Sequence, residues 1–331
     1  MKILFTGGYG NISWWCTKNA LDEGHEVYLL NREQTTVTRR SIPKNAKIIK
    51  TDYRDFNETK NAIEKYDFDV VCDFLCGNLE HAQIAYELFK NKTKQYIFIS
   101  TESVFKRDYE GINEKSEKYS EEEVSPYVLG KLQGEKFFND KLKNEKFPLT
   151  IVRPCYTLDT ILPYSIGHNC FTVAKRYLEG RPILIAGNGE NRWTFTHSSD
   201  FANAFSAVAG NFDTIGDDFN IIGDTVTTFN DIMGILAKEL IDKTPEFIHI
   251  PYDECLKLEQ FMPHDLMEQR LKSAIFDNSK IKSLAKNWQT KMNAKDIVSS
   301  TLKWLNEDDR RKRFNKELDE KLEALTQKYE G

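Results

Sequence analysis

Apolar positions in the first half of the chain alternate between two periods. "KILFT" (2–6) is a short β-branched, apolar run. "NISWWCTKNALDEG" (11–24) then places Ile12, Trp15, Cys16, Ala20 and Leu21 at helical spacing and stops at Gly24. "HEVYLLN" (25–31), "AKIIKTD" (46–52), "DVVCDFL" (69–75) and "KQYIFIS" (94–100) predict further strands, with a helix at "LEHAQIAYELFKN". Strands apolar on both faces and separated by helices predict an α/β fold, a Rossmann-type doubly wound parallel sheet. After about residue 155 the elements shorten and loops rich in Gly, Pro and Asn take over. The expected organisation is a dinucleotide-binding domain over 1–155, rejoined by a later segment near 195–225. A smaller C-terminal α/β substrate domain is expected over 156–331. Near the end, Phe314, Leu318, Leu322, Leu325 and Tyr329 form one stripe, as in a docking helix with a charged outer face.

Composition narrows the class. The chain has 331 residues, 40% hydrophobic and 29% charged, enough for one large or two coupled domains with a real core. No apolar run approaches the roughly 18–20 residues of a membrane span. The apolar segment 3–5 runs straight into glycines and is too short for a signal peptide. A net charge of −5 argues against general nucleic-acid affinity, and acidic residues follow the basic run at 310–313 within a few positions, from Glu317 on. The six cysteines form no CxxC pair, which predicts a reduced cytoplasmic protein with buried thiols. His168, His249 and His264 have no ligand spacing, so no metal site is expected.

The stretch "FTGGYGNIS" (5–13) sits between the first strand and the first helix. In a dinucleotide-binding turn, glycines such as Gly7, Gly8 and Gly10 let backbone approach a pyrophosphate at the positive helix N-terminus. The last glycine of that fingerprint is Ser13 here, which adds only a CH₂OH between helix and strand. At the end of the second strand, an acid would bond the ribose 2′-hydroxyl of NAD. This chain has neutral Asn31 followed by Arg32, with Arg39 and Arg40 nearby. Guanidinium groups grip phosphate, so NADP is favoured with NAD as the alternative. A solvated surface role for Arg32 is the competing reading. Asp52 and Tyr53 end the third strand and are placed to flank the adenine.

Two segments carry candidate chemistry. In "PYVLGK", Tyr127 and Lys131 are spaced i,i+4 on one helical face; in "FISTESVF", Thr101 follows a strand end, the edge where open α/β sheets bind ligands. A free tyrosine titrates near 10, and bringing it to about 7 takes roughly 4 kcal/mol of differential stabilisation. A neighbouring ammonium favours the phenolate, and the Thr101 hydroxyl can bond the phenol or a substrate oxygen. Tyr–x₃–Lys alone also occurs in ordinary surface helices, so its weight comes from the glycine turn and Thr101.

"TGGYGNIS", "STESVF", "PYVLGK" and "IVRP", in that order, resemble the extended short-chain dehydrogenase/reductase superfamily, of the NAD-dependent epimerase/dehydratase type. The similarity continues through "EGRPILIAGNGENRWTFTHSSDFANAF" and "FNIIGDTVTTFNDI" to "IFDNSKI" and covers nearly the whole chain. The later region resembles a branch of the superfamily with members similar to chloroplast stem-loop RNA-binding proteins. The resemblance implies hydride transfer at a hydroxyl-bearing carbon of a sugar or sugar nucleotide, with Tyr127 as base, and Lys131 and Thr101 beside it. It implies cofactor contacts from Asn11, Ile12, Phe74, Leu75 and Pro154 as well, a substrate contact from Ser103, and a homodimer formed through two helices of each subunit.

Departures from the pattern refine this. Sugar-nucleotide dehydratases of this type carry Asp–Glu after the Thr, whereas this chain has Glu102–Ser103. One carboxylate is therefore missing for paired elimination of water, and Glu102 is left as a candidate for proton exchange at a carbon. Counting from His197, the position where epimerases place a diphosphate-binding arginine is Trp193, with Arg192 one residue earlier. Arg192 is the candidate for substrate phosphates, and Trp193 is either substrate wall or core. Asp200 is read as a helix cap. The enzyme reading is favoured over a cofactor-binding regulatory or RNA-binding protein on the same fold.

Overall fold

The computed structural model describes residues 1–32, 37–107, 109–261 and 271–330. Strands β1 (Lys2–Thr6), β2 (Glu26–Asn31), β3 (Lys47–Lys50), β4 (Phe68–Asp73) and β5 (Thr93–Ile99) form as their β-branched, apolar runs predict. Strand β6 (Glu110–Ile112) lies apart from them, while β7 (Leu149–Pro154) continues the main sheet. Further on come β8 (Tyr156–Leu158), β9 (Ile183–Ala186), β10 (Arg192–His197) and β11 (Asp218–Ile221). Strands β12 (Thr225–Thr228), β13 (Phe247–Ile250) and β14 (Ile275–Phe276) complete the set. The main sheet is parallel, in the order β11-β7-β5-β4-β1-β2-β3. Its order reverses between β1 and β4, and in such sheets the crevice at the strands' carboxyl ends binds the ligand.

Successive strand residues point to opposite faces, and two cores follow from that alternation. Ile3, Phe5, Val27, Leu29, Val70 and Cys72 pack on one side with Cys16 of α1 (Ser13–Asp22). Leu4, Leu30, Val71, Tyr96 and Phe98 face the other side. There they meet Ile63 of α2 (Phe56–Ile63), Ala85 of α3 (Leu79–Phe89) and Phe138 of α4 (Pro126–Glu145). A third core gathers Tyr177 of α5 (Thr172–Leu178), the aromatics of β10, and Met233 of α7 (Phe229–Ile241). Helix α6 (Ser198–Phe205) packs against α1, and β11 supplies the seventh strand, so chain beyond residue 195 contributes to the first sheet. Strand β10 instead lies between β8 and β12 in a sheet of three.

Several elements end earlier than their apolar runs predict. Strand β4 stops at Asp73 because its carboxylate takes the amide N–H groups of Leu75 (2.9 Å) and Cys76 (3.0 Å), turning the chain out of the ladder. Strand β3 stops at Lys50, and Asp52 then accepts the Arg54 amide at 3.1 Å. Helix α1 begins at Ser13 rather than Asn11, whose side chain is used elsewhere. Asp200 does not cap its helix, a place taken by His197; its carboxylate accepts the amides of Lys291 and Met292. In the last helix, Lys316–Tyr329, Leu318, Leu322 and Leu325 are buried as expected, but Phe314 precedes the helix and is exposed. His264 lies outside the described residues. Among the described residues no helix is long and apolar enough to cross a membrane, and no cluster of potential metal ligands occurs.

Candidate active site

The glycine turn leaves β1 with Gly7 at φ +72°, a left-handed conformation that suits glycine. A Cβ on Gly8 would stand 2.5 Å from Leu29 and 2.8 Å from both Phe5 and Thr17, so the turn is pressed onto the sheet where only glycine fits. Ser13, in the place of the last fingerprint glycine, stitches the turn together. Its hydroxyl donates to the Gly7 carbonyl (2.6 Å) and accepts the Gly10 N–H (2.9 Å), while Thr17 donates to the Gly8 carbonyl (2.6 Å). Asn11 ties the turn to the far wall. It donates to the Thr157 carbonyl (2.8 Å) and accepts the Thr160 amide (2.9 Å).

Two adjoining cavities, of about 560 and 450 Å³, open at this turn. Both are bordered by Gly7, Gly10, Asn11, Arg39, Leu75 and Ile161, so they form one cleft across the strand ends. The first continues along Asn31, Arg32, Asp52, Tyr53 and Arg54; the second continues along Ile12, Phe74, Thr101, Glu102, Ser103, Tyr127, Pro154 and Trp193. Tight glycines below, room for an extended ligand above, and polar groups at both ends fit a dinucleotide.

The two ends differ in chemistry. At the first, Tyr53 donates its hydroxyl to Asp73 (2.9 Å) and so turns its ring into the wall. Arg54 forks onto Asp52 at 3.0 and 2.7 Å, and Arg32 stands 3.8 Å from the same carboxylate. Hydrogen bonds from Arg54 hold the Asp52 carboxyl at about 2 despite some burial, so it stays charged. Arg39 lies over the Tyr9 ring at 5.5 Å. Arg40 does not border the cleft; it forks onto buried Asp159 at 2.6 Å and covers Trp14 and Trp15.

At the second end, Thr101 begins a short 3-10 turn and its hydroxyl accepts the Ser103 amide at 3.3 Å. Tyr127 enters from the first turn of α4, which Ser125 caps and Pro126 starts. Lys131, one turn on, is buried and does not border the cleft. Its ammonium donates to the carbonyls of Cys76 (2.6 Å) and Ile99 (2.7 Å) and lies 5.7 Å from the centre of the Tyr127 ring. Burial moves its pKa down, and nearby negative groups oppose that shift. Cys155 also borders the cleft, but burial pushes its thiol up to about 12, which keeps it protonated.

This placement depends on how closely α4 lies on the sheet. A Cβ on Gly130 would stand 2.2 Å from the Gly77 carbonyl oxygen, and one on Gly134 would stand 2.8 Å from Phe98. The helix therefore touches backbone where any other residue would hold it off. Alanine in a helix interior ordinarily stabilises by about 1 kcal/mol over glycine. At Gly130 the opposite is expected: Gly130→Ala lowers the melting temperature, checked by thermal unfolding. An unchanged or raised value would show that the helix backs away without loss.

Two candidates take other roles in the structure. Arg192 is exposed and pairs with Glu110, outside both cavity walls, because β10 turns its first side chain outward. Glu102 borders the cleft but is buried, and both its oxygens face Arg107 Nη2 at 3.1 and 2.9 Å. Arg107 lies 4.5 Å over the ring of Trp193, which is 1% exposed and borders the cleft, so Trp193 is both core and wall. That geometry gives Glu102 a holding role beneath the aromatic wall rather than an open carboxylate beside a reacting carbon. Arg107 carries no motif and was not legible in the sequence. Glu135 was discoverable: it stands four residues after Lys131, on the same helical face.

The doubly wound sheet thus brings the glycine turn and the Thr/Tyr pair to one cleft. The chain belongs to the NAD dependent epimerase/dehydratase family, whose profile matches residues 3–221. Among curated proteins it is 28% identical over 260 residues to the chloroplast stem-loop binding protein of 41 kDa b of Arabidopsis thaliana, covering 75% of this chain. The chain spans 65% of that relative's length. Among solved structures it is similar to UDP-glucuronic acid 4-epimerase from Bacillus cereus in complex with NAD (19% identity, 93% and 99% of the two chains, TM-score 0.73). It is also similar to UDP-glucose 4-epimerase from Bifidobacterium longum in complex with NAD+ and UDP (18% identity, 94% and 100%, TM-score 0.73). At these identities the likeness speaks for the fold.

Proposed function

We propose that the protein is an NADP-preferring oxidoreductase or epimerase acting at a hydroxyl-bearing carbon of a sugar or sugar nucleotide. One observation carries this: Thr101 and Tyr127 border the same cleft that runs, without a break in its walls, to the glycine turn. When bound, the nicotinamide supplies the hydride acceptor and donor. Tyr127, as phenolate, takes the substrate hydroxyl proton, and Thr101 donates a hydrogen bond to the same oxygen. Lys131 favours the phenolate by charge from behind, held by its two carbonyls. The ring of Tyr156 suits the apolar side of a sugar ring, with Trp193 packed behind it and Ser103 and Thr157 at the sugar's hydroxyls. With Glu102 engaged by Arg107, paired elimination of water lacks its groups, which supports chemistry without net dehydration.

The preference for NADP is supported by neutral Asn31 at the end of β2 and by Arg32 and Arg54, whose two positive charges exceed the single negative charge of the Asp52 carboxylate they share. Arg32→Ala is expected to weaken NADP by about tenfold, roughly 1.4 kcal/mol, and to leave NAD unchanged. Calorimetric titration of both dinucleotides checks this; equal or tighter NAD binding by the parent protein overturns the preference. A homodimer through α3 and α4, which pack side by side, and a reducing compartment for six free thiols complete the proposal.

A further inference from the structure

The basic run 310–313 has no part in the chemistry above, yet Arg313 reaches the cleft and Arg311 anchors the segment beside it. Arg311 donates to the Val37 carbonyl at 3.2 Å and to the Trp304 carbonyl at 2.5 Å, lying 4.5 Å over the Trp304 ring. It thereby fastens the C-terminal segment to the loop that presents Arg39. Arg313 donates to the Asn169 carbonyl at 2.8 Å, and its own carbonyl accepts the Phe171 amide at 2.7 Å. Its side chain borders the first cavity together with Arg39, Thr160 and Asn169. Arg39, Gly10 and Asn11 border both cavities, so they mark the junction between the adenosine and nicotinamide halves.

A dinucleotide carries its diphosphate at that junction. In this chain the Gly10 N–H is engaged within the turn by the Ser13 hydroxyl. We infer that Arg313, delivered by the C-terminal segment, closes over the cofactor's diphosphate opposite the glycine turn and, with Arg39, supplies the compensating charge. The inference rests on the cofactor reading above and extends it. The group recognised is common to NAD and NADP, unlike the one that Arg32 reads. The C-terminal segment is then a clasp that makes cofactor affinity depend on residues remote in sequence from the turn.

The test measures binding, not turnover. NAD and NADP are titrated against the full chain and against Arg313→Gln, Arg313→Lys and Lys316→Gln, at low and moderate salt. Lys316→Gln removes the same charge from the next helix, outside the cleft walls. Arg313→Gln is expected to weaken both dinucleotides by the same factor, about tenfold, as for loss of a charge-assisted phosphate contact. Arg313→Lys should recover part of that, Lys316→Gln should change neither, and unfolding temperatures should stay at the parent value. Unchanged binding by Arg313→Gln, or weakening of NADP alone, overturns the assignment to the diphosphate while leaving the cofactor reading intact. A parent protein that binds neither dinucleotide overturns the cofactor reading itself.

Discussion

Tyr127→Phe is expected to lower turnover at least a hundredfold, within the roughly 10²–10⁴ range of general acid–base catalysis, and to leave dinucleotide affinity within about twofold. Only the phenolic oxygen is lost. The ring keeps its place in the first turn of α4 and on the cleft wall. Binding and turnover therefore separate in this variant. Steady-state kinetics on an identified substrate, paired with a dinucleotide titration, checks the split. Near-normal turnover would remove Tyr127 from the chemistry.

Glu135→Gln is expected to destabilise the fold by about 3 kcal/mol, the scale for breaking a buried ion pair from one side. Glu135 is 3% exposed; Arg153 forks onto it at 2.6 and 2.9 Å, Ser100 donates at 2.6 Å, and Lys118 stands at 2.7 Å. These contacts fasten α4 to the ends of β5 and β7, two turns beyond Tyr127. Burial alone would raise the carboxyl, but Arg153 and Lys118 outweigh it and hold it at about 2, against an ordinary 4.5. A depressed folded pKa contributes stability that is complete above about 4.5 and lost as pH falls toward about 2. Chemical denaturation across that window should show a steep acid limb in the parent and a flatter one in Glu135→Gln. Parallel limbs would contradict the assignment.

Sequence periodicity revealed the central sheet because burial on both faces leaves continuous apolar runs such as "KILFT" and "DVVCDF". It overran the strand ends because Asp73 and Asp52 redirect the backbone through hydrogen bonds that no hydropathy pattern carries. Spacing placed Thr101 and Tyr127 on the cleft, since each depends on a local element beside a strand end. The same spacing set Lys131 beside the Tyr127 ring, but it carried no sign that the buried ammonium goes to two carbonyls, which follows from Gly130 drawing α4 onto residues 77–78. Arg192 and Glu102 were read from neighbours in sequence, but partners distant or unmarked, Glu110 and Arg107, decide where their charges go. Arg313 reaches the cleft only through tertiary docking of the C-terminal segment.

The central claim is that this cleft holds a nicotinamide dinucleotide within reach of a hydroxyl-bearing carbon and Tyr127. Absorbance of the protein-bound dinucleotide tests it most directly, recorded as sugar nucleotides and simple sugars are added to protein saturated with NADP or NAD. The account predicts the near-ultraviolet band of reduced nicotinamide with at least one of these substrates in the parent protein, and none in Tyr127→Phe. Product formation at equal rates by the two proteins, or a parent protein that takes up neither dinucleotide, would contradict it.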